Sequence, residues 1–210
     1  MDDASRVETH TLAELRSVFL ASGLKSSFDF WMAPTHELRL QCLEKILDKV
    51  YSRVVLDRHL THSESEDQLN SRIVGMLASA GLNASHDTQW GGHVDVAVTG
   101  PDDFFWMAEA KFDNGYAWLK KGFYQLTTRY MPGCEGADCG ELIIYGRKKN
   151  ALKALKNWAS VIARLDQCRM EEDHCDEKLW FRTSHVSEGT GRRIRVRHKI
   201  LTLWFEPKDR

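Results

Sequence analysis

Apolar positions recur at helical spacing through the first third of the chain. A first helix is predicted between a capping box, Thr11 to Glu14, and a stop at Gly23. A turn containing Pro34 separates it from a second helix over about 35–56, and a third helix in "THSESEDQLNSRIVGMLASAG" ends at its last glycine. The apolar positions that carry the period are Leu12, Leu15, Phe19, Leu43, Leu47, Val50, Val54, Leu69, Ile73, Leu77 and Ala80.

The period changes to that of strands after residue 83. The runs "NASHDTQW", "HVDVAV" and "DFFWMAEAKF" are separated by Gly-Gly and by "TGPDD", which favours an antiparallel meander. "GYAWLKKGFYQLTTRY" returns to helical spacing, and "ELIIYG" is a short strand that would pair in parallel through that crossover. A helix over about 150–168, an acidic loop "EEDHCDE" and a terminal strand pair follow. We therefore predict an α/β or α+β fold with a central mixed sheet flanked by helices.

Length and composition suit one continuous globular unit of 210 residues, 42% of them hydrophobic. A helical extension is predicted over 1–60 and a second domain over 61–210. The formal net charge of -1 means that any attraction to nucleic acid depends on local patches. No apolar run approaches the length of a bilayer span, and no leader pattern is present, so a cytoplasmic protein without a membrane partner is expected.

Three charged residues stand inside apolar strand sequence. Asp95 lies in "HVDVAV", and Glu109 and Lys111 lie in "FFWMAEAKF", where burial of a charge is costly unless it is paired or holds a metal. Because side chains alternate along a strand, Glu109 and Lys111 share a face. Alternation also puts the valines of 94–98 on one face and Asp95 on the other. Pairing of the two strands would bring Asp95 beside Glu109.

Two carboxylates side by side repel unless a cation lies between them. Mg²⁺ prefers oxygen ligands and takes one or two carboxylates together with waters and phosphate oxygens of a substrate. Lys111 would then steady or deprotonate an attacking water and offset charge that builds on the phosphate. The pattern is typical of phosphodiester hydrolysis.

Residues 63–146 resemble the core of the PD-(D/E)XK nuclease superfamily, whose restriction-endonuclease-like fold has the element order αβββαβ. Asp95 matches the first metal-binding aspartate, and Glu109 matches the (D/E) position. Lys111 matches the motif lysine, and Ala110 matches the residue whose carbonyl often joins the metal shell. The resemblance implies a nuclease domain over 61–210 and a Mg²⁺ or Mn²⁺ cofactor.

Two outer positions also match this family. Glu66 matches a glutamate on the helix before the sheet that faces the metal, and Gln125 matches a supporting glutamine on the helix after the lysine strand. The chain departs from the pattern at Val94, where many members have proline. It departs again at Tyr130, which lies five residues beyond Gln125 where related sequences often have four.

These residues also have simpler explanations. The acid and the lysine of the motif would form a solvated cross-strand ion pair on an exposed face, with Asp95 a surface acid beside them. Ser63-x-x-Glu66 would be a capping box that needs no metal, although a cap from Thr61 would leave Glu66 free. Gln125 would be a helix-surface amide.

Five cysteines at irregular spacing do not form a disulfide framework. Soft ligands from two loops would be needed for a structural zinc site, and the candidates are Cys134, Cys139, Cys168, His174 and Cys175. Their spacings are looser than the usual zinc knuckle, so free thiols are expected. The tryptophans assigned to the core are Trp90, Trp106, Trp118, Trp158, Trp180 and Trp204.

Basic residues cluster twice, in "GRKKNALKALK" with Lys148 and Lys149, and in "GRRIRVRHK". The second cluster places on one strand face Arg193, Arg195, Arg197 and Lys199. A solvated outer face explains either cluster, whereas a nuclease would use both for phosphate contacts. No element for base-specific recognition is visible.

The sequence therefore predicts a metal-dependent endonuclease that acts on DNA rather than RNA, because most relatives with this pattern cut DNA. Small nucleases of this kind resemble effectors of restriction or antiphage defence. A homo-oligomer, or a partner protein bound through the N-terminal helices, would supply specificity. The alternatives are an RNA-cleaving toxin on the same fold and a non-catalytic module that binds nucleic acid or protein.

Overall fold

The computed structural model describes residues 10–165 and 168–209. The helices are α1 (Leu12–Ala21), α2 (Lys25–Met32), α3 (His36–Leu56), α4 (Arg58–Thr61), α5 (Glu66–Ser79), α6 (Tyr116–Gln125) and α7 (Ala151–Ile162), and a π-helical segment, Leu126–Tyr130, continues α6. The strands are β1 (Asn83–Ser85), β2 (Thr88–Gln89), β3 (His93–Val94), β4 (Val96–Thr99), β5 (Phe105–Phe112), β6 (Cys139–Gly146), β7 (Arg169–Cys175), β8 (Trp180–Val186) and β9 (Arg193–Thr202).

Seven strands form one mixed sheet in the order β1-β4-β5-β6-β9-β8-β7, and β2 and β3 form a separate ribbon. The β5–β6 and β6–β9 pairs are parallel, as the crossover through α6 predicts for the first of them, and the other pairs are antiparallel. The predicted mixed α/β class is confirmed, whereas a nuclease core within it stays a prediction. Within 10–165 and 168–209, no helix is long and apolar enough to cross a bilayer.

Helices cover both faces of the sheet. On the α3–α5 face, one apolar cluster joins α2, α3 and α5 to the strands and includes Leu43 and Tyr145. On the α6–α7 face, a second cluster joins α6 and α7 to the strands and includes Trp158 and Ile144. Burial of these apolar surfaces is the main force that holds the layers together. Helix α3 comes from the predicted extension, and the domain boundary at residue 60 stays a prediction.

The predicted N-terminal helices form, and one further helix forms with them. Helix α1 begins with the capping box of Thr11 and Glu14, and Thr35 caps α3. Gly81 adopts a φ of 80° just after α5, as a helix stop requires. Helix α2 replaces most of the turn predicted before Pro34; no side chain caps its start, so the sequence carries no start signal for it.

Helix α1 differs from the prediction in its packing. None of its residues is buried, and Leu12 and Val18 are 56% and 64% exposed. Its contact with the rest of the chain includes the ring of Phe19, which lies 5.3 Å from that of Phe28 in α2. The apolar stripe of α1 therefore remains largely open to solvent.

The sequence "HVDVAV" is not a single strand, because β3 and β4 are separated at Asp95. Val94 packs in the cluster of the α6–α7 face, whereas Val96 and Val98 pack in the cluster of the α3–α5 face. The prediction that these valines share a face is therefore wrong. The cause is a change of partner, since β3 pairs with β2 and β4 pairs with β1 and β5.

The C-terminal part also differs in two places. Helix α7 ends at Ile162, earlier than predicted, and most of the predicted acidic loop is strand β7. β7 is an edge strand, and its pairing with β8 is irregular between Met170 and His174. Its charged, mostly exposed side chains give no apolar alternation, which is typical of a protected sheet edge.

A buried charged layer lies between α3 and the strands β6, β8 and β9. Arg197 is 2% exposed, and its guanidinium lies 2.9 Å from the Glu141 carboxylate and 3.1 Å from that of Asp48. Lys199 is 7% exposed. Neither side chain therefore lies on the solvated outer face that would explain this basic cluster, since Arg197 is buried against its acid partners and Lys199 lines a cavity between α3 and β9. Their contact with a nucleic acid stays a prediction.

Removing one partner of this buried pair is expected to destabilise the protein. Glu141→Leu leaves the Arg197 guanidinium short of a carboxylate and should lower the free energy of unfolding by about 3 kcal/mol. The double variant Glu141→Leu/Arg197→Met removes both charges and should recover most of that loss. Urea unfolding measures both values. Glu172→Gln, an exposed carboxylate in β7, is the control, and equal stability of single variant and wild type would contradict the argument.

Candidate metal centre

Asp95 and Glu109 come together where strand β4 begins. Val96 pairs with Ala108, so the residue before Val96 lies beside the residue after Ala108. The Asp95 carboxylate accepts a hydrogen bond of 2.7 Å from the backbone N–H of Ala110. The sequence prediction that Asp95 lies beside Glu109 is thus confirmed, although Asp95 occupies a break between strands and not a strand interior.

Glu66 also contacts strand β5, from the start of helix α5. It is the first residue of α5, and its carboxylate accepts a hydrogen bond of 2.7 Å from the backbone N–H of Phe112. The pairing of β4 with β5 extends only to Ala108, so the next outward N–H groups of β5 have no strand partner. Buried N–H groups need an acceptor, and here the carboxylates of Asp95 and Glu66 supply it.

The cap of α5 does not involve the Glu66 side chain, which leaves its carboxylate available to β5. Ser65 and Gln68 form the capping box, so the predicted caps from Ser63 and from Thr61 are both wrong. Glu66 follows the cap residue and is half-buried. Its carboxylate is therefore directed to β5 instead of to the start of its own helix.

Glu109 and Lys111 project together from β5 toward α6. Their side chains form an ion pair of 2.5 Å, and they are 2% and 8% exposed. The explanation as a solvated surface pair is therefore wrong. The Lys111 ammonium also lies 5.6 Å from the centre of the Trp118 ring, and one Glu109 oxygen, Oε2, is buried without a hydrogen-bond partner within the described residues.

The close approach of α6 depends on Gly122. A β-carbon at that position would lie 2.7 Å from Cγ of Lys111 and 3.4 Å from Cγ of Glu109. Only a glycine lets the helix backbone pack this closely on the pair. The helix therefore fixes both side chains from above.

The charges perturb one another strongly. Burial, with the neighbouring Asp95 carboxylate, raises the pKa of Glu109 from 4.5 to about 7. Burial also raises the pKa of Asp95. Burial lowers the pKa of Lys111, but the carboxylate of Glu109, with that of Asp95, outweighs it and holds the pKa above its ordinary value. The site carries more negative charge than its one lysine balances.

Gln125 and Tyr130 lie at this centre because of the π-helical segment. The backbone N–H of Met131 donates to the carbonyl of Leu126 at 3.0 Å, the i to i+5 pattern of a π-helix. A spacing of five residues therefore places Gln125 next to the Tyr130 hydroxyl, with which it interacts. The five-residue spacing noted in the sequence thus corresponds to a π-helical turn, and the supporting role of Gln125 stays a prediction.

Tyr130 is a residue that the sequence analysis did not assign to the site. It is 6% exposed, and burial, with the Glu109 and Asp95 carboxylates, raises the pKa of Tyr130 to about 12. A β-carbon on Gly92 would lie 2.8 Å from the Tyr130 ring. The turn between β2 and β3 therefore packs directly on the tyrosine and holds it beside the acids. Its apolar phase with Phe123 and Leu126 had suggested a core role only.

Other predicted residues lie elsewhere. Lys148 is exposed, and its ammonium donates to the carbonyl of Asp113, two residues beyond Lys111. Lys149 pairs with Glu206 at 2.9 Å. Arg193 is exposed, whereas Arg195 bonds to Glu37.

The predicted core position of two tryptophans is wrong, since Trp90 and Trp118 are 50% and 38% exposed. Trp118, with Lys121 5.0 Å from its ring centre, forms an exposed basic and aromatic surface of α6 beside Lys111. The sequence could have indicated the exposure of Trp118, because it lies one residue before buried Leu119 and therefore on a different face of α6.

The proposed zinc ligands are not brought together. Among the described residues, the one set of three or more His, Cys, Asp and Glu side chains close enough to share an ion is that of His36, Asp138 and Cys139. The Arg195 guanidinium lies 3.4 Å from Cys139 Sγ, which opposes a cation there. None of the five cysteines forms a disulfide.

No protein-family model, curated protein or solved structure matches this chain. The chemistry must therefore be inferred from its own residues.

The raised pKa of Glu109 predicts a pH dependence of stability in EDTA. The folded protein binds this proton more tightly than the unfolded chain, so stability is lost as pH rises from about 4.5 to about 7. Relative to Glu109→Gln, the wild type should lose at most about 3 kcal/mol of unfolding free energy over this range. Lys111 stays charged throughout in both proteins, so its lost partner gives a constant offset. Urea unfolding at a series of pH values measures the difference, and parallel curves would contradict it.

Proposed function

We propose that this protein is a metal-dependent endonuclease that hydrolyses phosphodiester bonds of DNA, with a PD-(D/E)XK-type centre. The observation that carries the proposal is the convergence of half-buried Asp95 with buried Glu109 and Lys111, with one Glu109 oxygen left unpartnered among the described residues. An unpartnered buried carboxylate oxygen is costly. Glu141, beneath α3, has one as well, so the feature that distinguishes Glu109 is the second carboxylate, Asp95, beside it. The family resemblance favours DNA over RNA.

The residues present fit Mg²⁺ or Mn²⁺. Asp95 and Glu109 would offer carboxylate oxygens, the donors that these hard cations prefer. The Glu66 carboxylate does not lie close enough to both to make a set of three in the structure as it stands, so Glu66 would act as an outer residue of the centre. The N–H of Ala110 points away from β6 to Asp95, and because a strand residue directs its N–H and C=O to the same side, its carbonyl is directed there also. When bound, the ion would lower the pKa of a coordinated water and neutralise charge on the phosphate.

The chain's own residues would position the reacting groups and stabilise the charge that develops on the phosphate. The ion pair with Glu109 and the ring of Trp118 fix the Lys111 ammonium, which would lie against the scissile phosphate and offset its developing charge. Tyr130 and Gln125 would hold the acids in place from the side of the π-helical segment. The backbone hydrogen bonds to Asp95 and Glu66 keep both carboxylates from rotating.

A nucleic-acid surface beside the centre completes the proposal. Trp118 and Lys121 are exposed beside Lys111 and combine positive charge with an aromatic face. Exposed Lys148, which bonds to the carbonyl of Asp113 after the end of β5, would add a further positive charge. Such a combination suits phosphate contact and base stacking without sequence readout. We place the nucleic-acid contact here instead of on Arg197 and Lys199.

A homo-oligomer or a partner protein remains part of the proposal. Helix α1 leaves exposed on its surface Leu12, Leu15, Val18 and Leu20. Apolar surface of this kind commonly marks a protein contact. A second copy or a partner protein bound there would supply sequence specificity, since no element for base-specific recognition is visible in the sequence.

Cleavage of plasmid DNA and structured RNA, in Mg²⁺, in Mn²⁺ and in EDTA, tests the function. Asp95→Asn and Lys111→Met should each slow metal-dependent DNA cutting by about 100-fold or more, because each removes a charge that acts on the reacting phosphate. The controls are Glu172→Gln and Lys25→Ala, which change exposed side chains remote from the centre and should leave the rate unchanged.

Two results would count against this function. Cutting of RNA alone would overturn the assignment to DNA while retaining the chemistry. If folded wild type cuts neither substrate, Mn²⁺ titration followed by electron paramagnetic resonance decides the matter. Absence of a binding site that Asp95→Asn removes would show that the proposed centre is wrong.

Gly122→Ala tests the packing of the centre without changing a charged group. The added methyl meets Cγ of Lys111 at 2.7 Å and should displace the ammonium, lowering the cleavage rate by about tenfold or more through misplacement alone. Overpacking should lower stability by about 1–3 kcal/mol, partly offset because alanine favours the helix, so rates are compared for protein that unfolding curves show to be folded. Gly75→Ala in α5, where a β-carbon meets nothing within 4 Å, is the matched control. Equal activity of the two variants would contradict the prediction.

A further inference from the structure

A second polar site lies on the α3–α5 face, opposite the face from which Glu109 and Lys111 project. It is a cavity of about 740 Å³ between α3, the turn from β7 to β8, and β9. Four lysines and two acids line it: Lys45, Lys49, Lys178, Lys199, Asp48 and Glu177. The lining therefore carries an excess of positive charge.

Lys199 is the innermost of these cations and is poorly balanced. Its side chain is 9% exposed, and its nearest carboxylate is that of Asp48, at 3.9 Å. Its ammonium donates to the backbone carbonyl of Lys178, which is a neutral acceptor. A buried ammonium without a close counter-charge is unfavourable unless an anion joins it.

Asp48 does not satisfy this need, because three cations share it. Its carboxylate lies 3.1 Å from the Arg197 guanidinium and 3.3 Å from the Lys178 ammonium. Both contacts are shorter than the one to Lys199. Asp48 therefore interacts more closely with Arg197 and Lys178 than with Lys199.

The mouth of the cavity adds positive charge. Lys45 and Lys49 are exposed and lie one helical turn apart on α3. Lys49 contacts the hydroxyl of Ser26 at 3.3 Å. Two ammonium groups at this spacing present several donors to one anionic group.

The turn that carries Lys178 is held in an unusual backbone conformation. Leu179 has a φ of 54°, a left-handed value that is rare for a bulky residue. Its carbonyl accepts a hydrogen bond of 3.0 Å from the N–H of Ile200. Strain of this kind persists where the surrounding structure fixes it and is frequent at binding sites.

We propose that this cavity binds a phosphorylated small molecule of about nucleotide size. Phosphate oxygens would accept from Lys199 at the floor and from Lys45 and Lys49 at the mouth. The volume suits a single ligand of this class, and Val55, Leu201 and Ser52 offer mixed surface for its uncharged part. The inference does not depend on the proposed nuclease activity, since none of these residues belongs to the metal centre.

Calorimetric titration of the full chain in EDTA, with pyrophosphate, AMP and ADP as probes, tests this site. Sodium chloride at matched ionic strength separates specific binding from screening. We expect one ligand per chain and a binding constant that falls by about tenfold or more in Lys199→Met. Lys49→Ala, an exposed change that leaves the buried layer intact, should weaken binding also.

Two controls locate the binding. Lys153→Ala, an exposed lysine on α7, and Asp95→Asn in the metal centre should both bind as the wild type does. Absence of binding for all three probes would overturn the proposal. So would equal affinity in Lys199→Met and wild type, or a signal that the chloride control reproduces. Preferential binding of a short DNA oligonucleotide, lost in Lys49→Ala, would show instead that the lysines contact nucleic acid.

Discussion

The hydrogen bonds from the backbone of β5 to two carboxylates determine the geometry of the candidate metal centre. Strand β4 stops pairing at Ala108, and the N–H groups of Ala110 and Phe112 then bond to Asp95 and Glu66. Because these carboxylates accept hydrogen bonds from β5 in place of a neighbouring strand, they lie beside the side chains of β5. The unpaired end of β5 therefore brings carboxylates close to Glu109.

This gathering of charge explains the rest of the site. The Glu109 carboxylate lies beside Asp95 and accepts a single cationic partner, Lys111, so negative charge is in excess at low exposure. Gly122 then lets α6 pack on Lys111 and Glu109, and Tyr130 of the π-helical segment lies close enough for both acids to raise its pKa. Packing thus holds together groups that would separate in water, and a divalent cation is the simplest way to relieve their repulsion.

Alternation and helical period predicted much of this arrangement, because both depend on local geometry. The common face of Glu109 and Lys111 and the position of α6 follow directly from spacing. The break at Asp95 did not, since it arises when β3 pairs with β2 and no residue signals it. The π-helical segment changes the phase of Tyr130 by tertiary packing, which a fixed period of 3.6 residues misses.

Burial of basic residues was equally beyond the sequence. Alternation placed Arg197 and Lys199 on one face, but whether that face meets solvent depends on α3, more than a hundred residues away. The acids Asp48 and Glu141 make burial acceptable for Arg197. Nothing in the strand itself records that these partners exist.

Buried charges in this protein differ in how completely they are paired. Incomplete pairing does not by itself mark a ligand site, since Glu141 and Arg197, which bond to each other, also each keep a buried polar atom without a partner among the described residues. Arg182 bonds to both oxygens of Glu44 at 2.9 and 3.0 Å and to Asp173 at 3.2 Å, so it needs no further partner. Glu109 retains a buried oxygen without one, and Lys199 has only a shared carboxylate at 3.9 Å. A chain selected for stability alone would replace such groups with apolar ones at little cost. The two proposed ligands, a metal cation at Glu109 and an anion at Lys199, would supply the missing opposite charge on the two faces of one sheet.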